Sequence, residues 1–461
     1  MSRHPDEIRA KASRVLESHG FDFAEIRITS GVSTAITLSG NEIETMSSGE
    51  SVGGSIRVLL NGAWGFVSFN ELDDMERCFT RASEIASSIH GGGRTSVKHT
   101  APLRGHFATL AVLDHREVPI DEKFMLIRSY NDILKSSPKI QTTRATYRDL
   151  SSKYLYLNSE GSDLSYDKLF TGISLSSVAR DGSVIQPFHE SAAGYGGFEM
   201  VQGMEETAEF VVKTAVDLLA AVSPEGGKYR IIADQKLAGV FIHEAFGHLS
   251  EADFVHENPR MREVMVIGRE FGPRELSVID DGSLAHTGYI PYDDEGAKPG
   301  RTFLIKEGTL SGRLHSRETA EAMGEELTGN ARAISVFTQP IVRMTNTYIE
   351  DGPCGRDGLF DEISDGIYAI DVIGGQTNLE MFTFTCGYGY EIKNGKRGRL
   401  FKDIVLSGNV FTTLKNIEMI ADDGKMFGGL GGCGKGGQSP LPVSFGGPHL
   451  LIRDVLIGGK H

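Results

Sequence analysis

The sequence predicts an α+β fold: N-terminal α+β layers, then a β-rich C-terminal domain built as a barrel or as packed sheets. Three observations lead there. Up to about residue 222, segments with a helical apolar period alternate with strand-like runs of period two. From Tyr229 onward the chain becomes a succession of short strands punctuated by glycine. Within that half, Leu237, Val240, Phe241, Ile242, Phe246 and Leu249 leave almost no polar face, as in a helix buried inside a domain.

Taken in order, residues 6–19 give an amphipathic helix with Ile8, Ala12, Val15 and Leu16 on one face. Strand runs follow at 21–29, 34–38, 42–47, 54–60 and 63–68, divided by Gly and Asn turns. Residues 71–89 form a second helix that carries Cys78 inward, in keeping with the high burial of free cysteines. These elements make a first unit over 1–90, closed by a glycine-rich linker at 90–100. A middle α+β unit over 100–222 holds helices at about 120–136 and 204–219 and strands at 140–147, 152–158 and 169–179. His90, His99, His106, His115 and His189 stand in loops or singly and read as surface or structural residues.

The Ser223-Pro-Glu-Gly-Gly turn opens the last unit, 226–461. A strand at 229–233 leads to Asp234, placed to cap the apolar helix. Strands are then expected at 303–305, 335–342, 348–350, 367–373, 381–390, 406–408, 443–445 and 450–457. Cys354 and Cys386 read as core or loop residues.

Composition narrows the function. A chain of 461 residues with 39% hydrophobic content is large enough for two or three cored domains. Its 56 glycines follow no repeat and indicate tight turns and backbone lining a cleft. The net charge of −15 argues against nucleic acid as a partner, which demands a basic footprint. No apolar leader and no apolar run long enough for a membrane span is visible, and four cysteines make no disulfide framework. A soluble, reduced, cytoplasmic protein is expected.

The chemistry concentrates in His243-Glu244-Ala245-Phe246-Gly247-His248. Two imidazoles and a carboxylate inside an apolar helix cannot stay unpaired, because burying unsatisfied polar groups costs several kcal/mol. A divalent metal held by His243 and His248, with Glu244 handling water, accounts for them. The spacing is one residue longer than the common His-Glu-x-x-His. On a regular helix, positions five apart stand about 140° from each other. The two histidines can therefore share an ion only if the helix widens into a π-turn or frays before His248, and Gly247 tolerates both. A third ligand is required. Glu251, Asp253 and His256 are near in sequence, and Cys433 offers a thiolate from far away. Spacing does not choose among them. The glycine run around Cys433 also fits dinucleotide and phosphate-loop patterns, but no βαβ unit follows the first, and Gly436 replaces the Ser/Thr of the second.

These motifs, with Asp294-Glu-Gly296, Leu304-Ile-Lys-Glu-Gly308, Thr328-Gly-Asn-Ala-Arg332, Arg343-Met-Thr-Asn-Thr-Tyr348 and Gly432-Cys-Gly-Lys-Gly-Gly-Gln438, resemble the TldD/PmbA family of metalloproteases. The match is to its TldD branch, which bears the metal motif. The resemblance implies Zn2+ held by His243, His248 and Cys433, with Glu244 as catalytic base. It also implies a β-rich C-terminal domain enclosing the metal-binding helix. As partners it implies a homodimer, or a heterodimer with a related TldD/PmbA-family chain that lacks the metal motif.

The expected activity is a zinc metallopeptidase acting on short or unfolded peptides. A metal-dependent hydrolase of a non-peptide amide and a non-catalytic zinc scaffold are the alternatives, the latter needing a fourth protein ligand such as Glu251 or His256. An oxyanion donor could come from His256, His286, Tyr292, His315 or Arg343. Asp293, Asp294 and Glu295 fit a solvated acidic turn as well as an active-site role.

Overall fold

The computed structural model describes residues 5–17, 20–89 and 95–458. The first part of the glycine linker, residues 90–94 with His90, lies outside them, as do positions 18–19 of the first predicted helix.

The N-terminal half is one sheet. Helix α1 (Pro5–Leu16) precedes β1 (Phe23–Ser39), β2 (Glu42–Leu60), β3 (Ala63–Phe69) and α2 (Met75–Ser88). Then come β4 (Arg104–Ala108), α3 (Ile120–Leu134), β5 (Ile140–Asn158), β6 (Asp163–Asp181), β7 (Val184–Tyr195) and α4 (Glu205–Asp217). The sheet runs β3-β2-β1-β5-β6, and β4 and β7 share the far edge of β6. Because β1 pairs with β5 from Glu25 to Ser39, the first and middle units are joined by a continuous ladder.

The strands are longer than expected. The segments 21–29 and 34–38 merge into β1, 42–47 and 54–60 into β2, and 140–147 and 152–158 into β5. Gly31, which suggests a turn by composition, sits in the ladder opposite Ser51 and Ser152. A Cβ there would stand 2.7 Å from the Ser151 carbonyl oxygen, so the glycine permits close strand approach.

The period-two alternation of β1 sorts its two faces. Ile26 and Ile28 pack with Ile56 and Leu157 beneath α1 and α2, and Ile36 and Leu38 pack with Ala145, Tyr147 and Ile173 beneath α3 and α4. The other face turns polar residues toward the C-terminal half. Arg57 contacts Glu25 at 2.9 Å and Glu295 at 2.5 Å. Tyr156 donates to the Glu295 carbonyl, Tyr154 donates to Asp294, and the Arg317 amide donates to the Glu295 carboxylate. Asp293 accepts the amides of Glu295, Ala297 and Ala331. The acidic turn is therefore not solvated. It is a largely buried junction in which Arg27 and Arg57 face Asp294 and Glu295, while Asp293 is held by backbone amides alone.

In the C-terminal half, two sheets enclose helix α5 (Gln235–Ile242). A nine-stranded sheet contains β8 (Gly227–Ala233) near its middle, and a six-stranded sheet contains the strands Asn346–Ile349 and Ser444–Gly447. Phe241 packs edge-on to Phe382 and Phe384 of the larger sheet. Two predicted strands differ. Of 335–342 only Ile341–Val342 pairs, against Ala331–Arg332, because Ser335 and Thr338 close a turn and Pro340 has no amide to donate. Segment 381–390 divides into Met381–Thr385 and Tyr388–Lys393 around Cys386-Gly387. No described helix is long and apolar enough to cross a membrane.

Candidate metal centre

Asp234 starts the buried helix as its sequence position suggests, accepting the Leu237 amide at 2.8 Å. Gly239 sets its depth: a Cβ would stand 2.6 Å from the Gly446 nitrogen, so only glycine lets helix and strand meet backbone to backbone. The helix stays regular to Ile242 and then widens into a π-turn over His243–Gly247. The His248 amide bonds the His243 carbonyl, five residues back. This widening compensates for the extra residue in the motif. Gly247 keeps ordinary right-handed helical angles, φ −56 and ψ −53. Its reason is steric, since a Cβ would meet the Met344 sulfur at 2.1 Å.

The π-turn brings the rings of His243 and His248 to 5.3 Å between centroids, at 80° to each other. Cys433 joins them, its sulfur 3.2 Å from His248 Nε2. One donor atom from each of His243, His248 and Cys433 falls within 4.8 Å of the others. This donor set fits a divalent metal: His243 Nδ1 is buried with no hydrogen-bond partner, and the thiol is acidic. Burial pushes the Cys433 thiol up, but hydrogen bonds from the two histidines and their charge outweigh it and bring it down to about 5.

The three nearby rivals for ligand positions stand elsewhere. Glu251 is buried with Oε2 3.0 Å from His248 Nδ1, the nitrogen turned away from Cys433. Asp253 bonds Lys435, and His256 is exposed. Burial pushes Glu251 up, yet His248 and Lys435 hold it below the usual carboxylate range. The same contact with Glu251 and the bond to Cys433 overcome the burial of His248 and raise it well above the ordinary imidazole range. Cys78 lies in the core under α2, Cys386 is buried with its thiol raised by burial, and Cys354 packs on the outer face of the large sheet.

The thiol side is built by a hairpin, Cys433–Lys435 against Gln438–Leu441, turned by Gly436 and Gly437 at φ 57 and 75. Arg343 lies beneath it, fully buried, donating to the carbonyls of Cys433 (2.8 Å) and Gln438 (3.2 Å). It braces the hairpin from within the core. His315 is likewise buried, between Thr319 and Glu325, while Tyr292 packs on Phe107 and His286 is exposed. None of the five candidate oxyanion donors lines the open side of the centre.

That open side is a groove of about 550 Å³. Glu244 and His248 form one wall and Gly434 and Lys435 another. The third is the strand Gly374–Asn378, the terminal strand of the large sheet, paired on one side only to Met381–Thr385. The Glu244 side chain is 30% exposed, with Oε2 3.9 Å from His248 Nε2. The sequence pointed to neither this strand nor a role for Lys435, and it offered Arg343 as an oxyanion donor where the structure has it bracing the hairpin. The only linear signal was a lysine two residues after Cys433 and a pair of acids just after His248.

Three family models cover the chain: PmbA/TldA metallopeptidase domain 1 at residues 24–86, the central domain at 113–221 and the C-terminal domain at 226–459. The metalloprotease slr0863 of Synechocystis is 42% identical over 441 residues, covering 95% of each chain. The zinc metalloprotease TldD homolog of Saccharolobus solfataricus is 29% identical over 454 residues, covering 96% of this chain and 98% of its own. The crystal structure of TldE from Thermococcus kodakarensis superposes with a TM-score of 0.76 at 17% identity, over 98% of this chain and 99% of that one. With most of its length matched by the three domain models and 95% of it by a relative 42% identical, the chain belongs to the PmbA/TldD metallopeptidase family.

Proposed function

We propose that the protein is a cytoplasmic zinc peptidase that hydrolyses short or unfolded peptides, with His243, His248 and Cys433 as metal ligands and Glu244 as general base. The observation that carries this reading is the convergence of two histidines and an acidic thiol beside a groove lined by His248 and Glu244. Zinc, when bound, supplies Lewis acidity, polarising a carbonyl and bringing the pKa of water down to about 7. Glu244 takes the proton from the attacking water and passes it to the leaving amine, a contribution of about 10²–10⁴-fold. A closed structural site would need a fourth protein ligand. Glu251 is engaged with His248 and Lys435, and His256 is exposed, which favours an open, catalytic site.

Peptide is favoured over other amides by the free edge of Gly374–Asn378. An extended substrate adds there as a further strand, bound through its main chain. Only a segment without secondary structure of its own offers its backbone this way. The protein acts as a dimer, either with itself or with a related chain lacking the motif. Light scattering showing only a monomer at micromolar concentration would remove that part. The central experiment measures zinc per chain and cleavage of a peptide library by the wild type and by Glu244→Gln. One zinc in both, with cleavage lost by about 10²–10⁴-fold in the variant, is expected. Equal cleavage by the variant would overturn the role of Glu244.

A further inference from the structure

His248 and Cys433 are 185 positions apart in sequence, and a second set of side chains ties their segments together. Glu251 follows His248 by three residues, and Lys435 follows Cys433 by two. Their charged ends meet at 3.1 Å. The Glu251 oxygen that receives Lys435 also faces His248 Nδ1, at 3.0 Å. Glu251 is 1% exposed, and the Ala252 amide beside it bonds the Leu314 carbonyl at 2.9 Å, so its carboxylate has little freedom. Lys435 Nζ donates in addition to Asp253 at 2.7 Å and to the Val342 carbonyl at 2.9 Å. An ammonium has three donors, and Glu251, Asp253 and Val342 engage them.

We propose that Lys435 and Glu251 form a clamp that sets the positions of His248 and Cys433 for the metal, a role that rests on the zinc reading above. Glu251 lies within hydrogen-bond reach of His248 Nδ1, which turns Nε2 toward the space shared with Cys433. Lys435 fixes that carboxylate, and because it belongs to the same hairpin strand as Cys433, it also fixes where the thiolate stands relative to the helix end. Both are positioning residues; neither belongs to the donor set.

The test uses full-length protein and reads zinc affinity by competition with a chromophoric chelator. The absorption of the cobalt-substituted protein is the second readout, since its thiolate bands report ligand geometry. Lys435→Met and Glu251→Gln should each lose roughly 10- to 100-fold in zinc affinity and shift the cobalt spectrum, with unchanged far-UV circular dichroism. Lys435→Arg, which keeps the charge, should recover most of the affinity. Should either neutral variant fail to fold, Asp253→Asn carries the test. It removes part of the support of Lys435 at a partly exposed site, and a several-fold loss is expected. Wild-type affinity and spectrum in Lys435→Met, or in Asp253→Asn where that variant decides, overturn the clamp. A wild type that binds no zinc overturns the metal reading and the clamp together, whereas a zinc-binding wild type with unaffected variants overturns the clamp alone.

Discussion

The sulfur of Met344 lies against Gly247 so closely that a Cβ on the glycine would stand 2.1 Å from it. Met344 is fully buried, so it has no open space into which to withdraw. Gly247→Ala should therefore destabilise the protein by about 1–3 kcal/mol, the usual cost of overpacking a core. Met344→Ala in the same chain should recover part of that loss. Urea denaturation of the single and double variants checks this, and an unchanged midpoint in Gly247→Ala would show that the contact is not what requires glycine.

The acidity of Cys433 gives a second prediction. An ordinary cysteine thiol titrates near pH 8.5, whereas burial opposed by the two histidines leaves this one at about 5. In chelator-treated protein, the alkylation rate of Cys433 should rise through a midpoint near pH 5 and be flat from pH 7 upward. Replacing His248 by Ala should move that midpoint up. A wild-type midpoint at or above pH 8 contradicts the arrangement.

Asp234 caps α5 from a half-buried position. Removal of its carboxyl from water, with the charge of Asp371 adding, raises that carboxyl to about 7. The sign follows from linkage. An unfolded Asp titrates near 3.9, so between roughly pH 4 and 7 the native state holds the extra proton. The stability this group contributes is fully present below pH 4 and is lost as pH rises through 7. The amide of Asp234→Asn still caps the helix but carries no charge. Each tenfold displacement of a protonation equilibrium is worth about 1.4 kcal/mol. The variant should therefore gain over the wild type by up to about 4 kcal/mol at pH 8, and by much less at pH 5. Equal differences at the two pH values would contradict a raised carboxyl.

Binding through the edge of Gly374–Asn378 predicts how substrates will rank. A stably folded domain should resist cleavage while its unfolded form is cut. A peptide methylated on alternate backbone amides should show a raised KM, because methylation removes the donors a strand edge needs. Equal rates on folded and unfolded forms of one protein would sink the strand-edge reading.

Sequence alone determined the helix of the site and the need for its distortion. The apolar run from Leu237 to Leu249 required burial, Asp234 marked the start, and five-residue spacing of His243 and His248 required a wider turn. These are local constraints, fixed by helical period and capping, so they can be read from neighbours in the chain. The family motifs pointed to Cys433, but spacing could not choose it over Glu251, Asp253 or His256. Only the tertiary structure decided where those residues stand, because the contacts of Cys433 and Lys435 with the helix end span 185 and 182 positions and depend on what the two sheets bring together. The continuous ladders of β1, β2 and β5 escaped the sequence for a related reason. Gly31 reads locally as a turn, and only the neighbouring strand shows that its missing side chain is what lets the sheet close. The acidic run Asp293-Asp294-Glu295 read equally as a solvated turn or an active-site element until the arginines and tyrosines of the N-terminal sheet supplied the partners that make the burial of Asp294 and Glu295 stable.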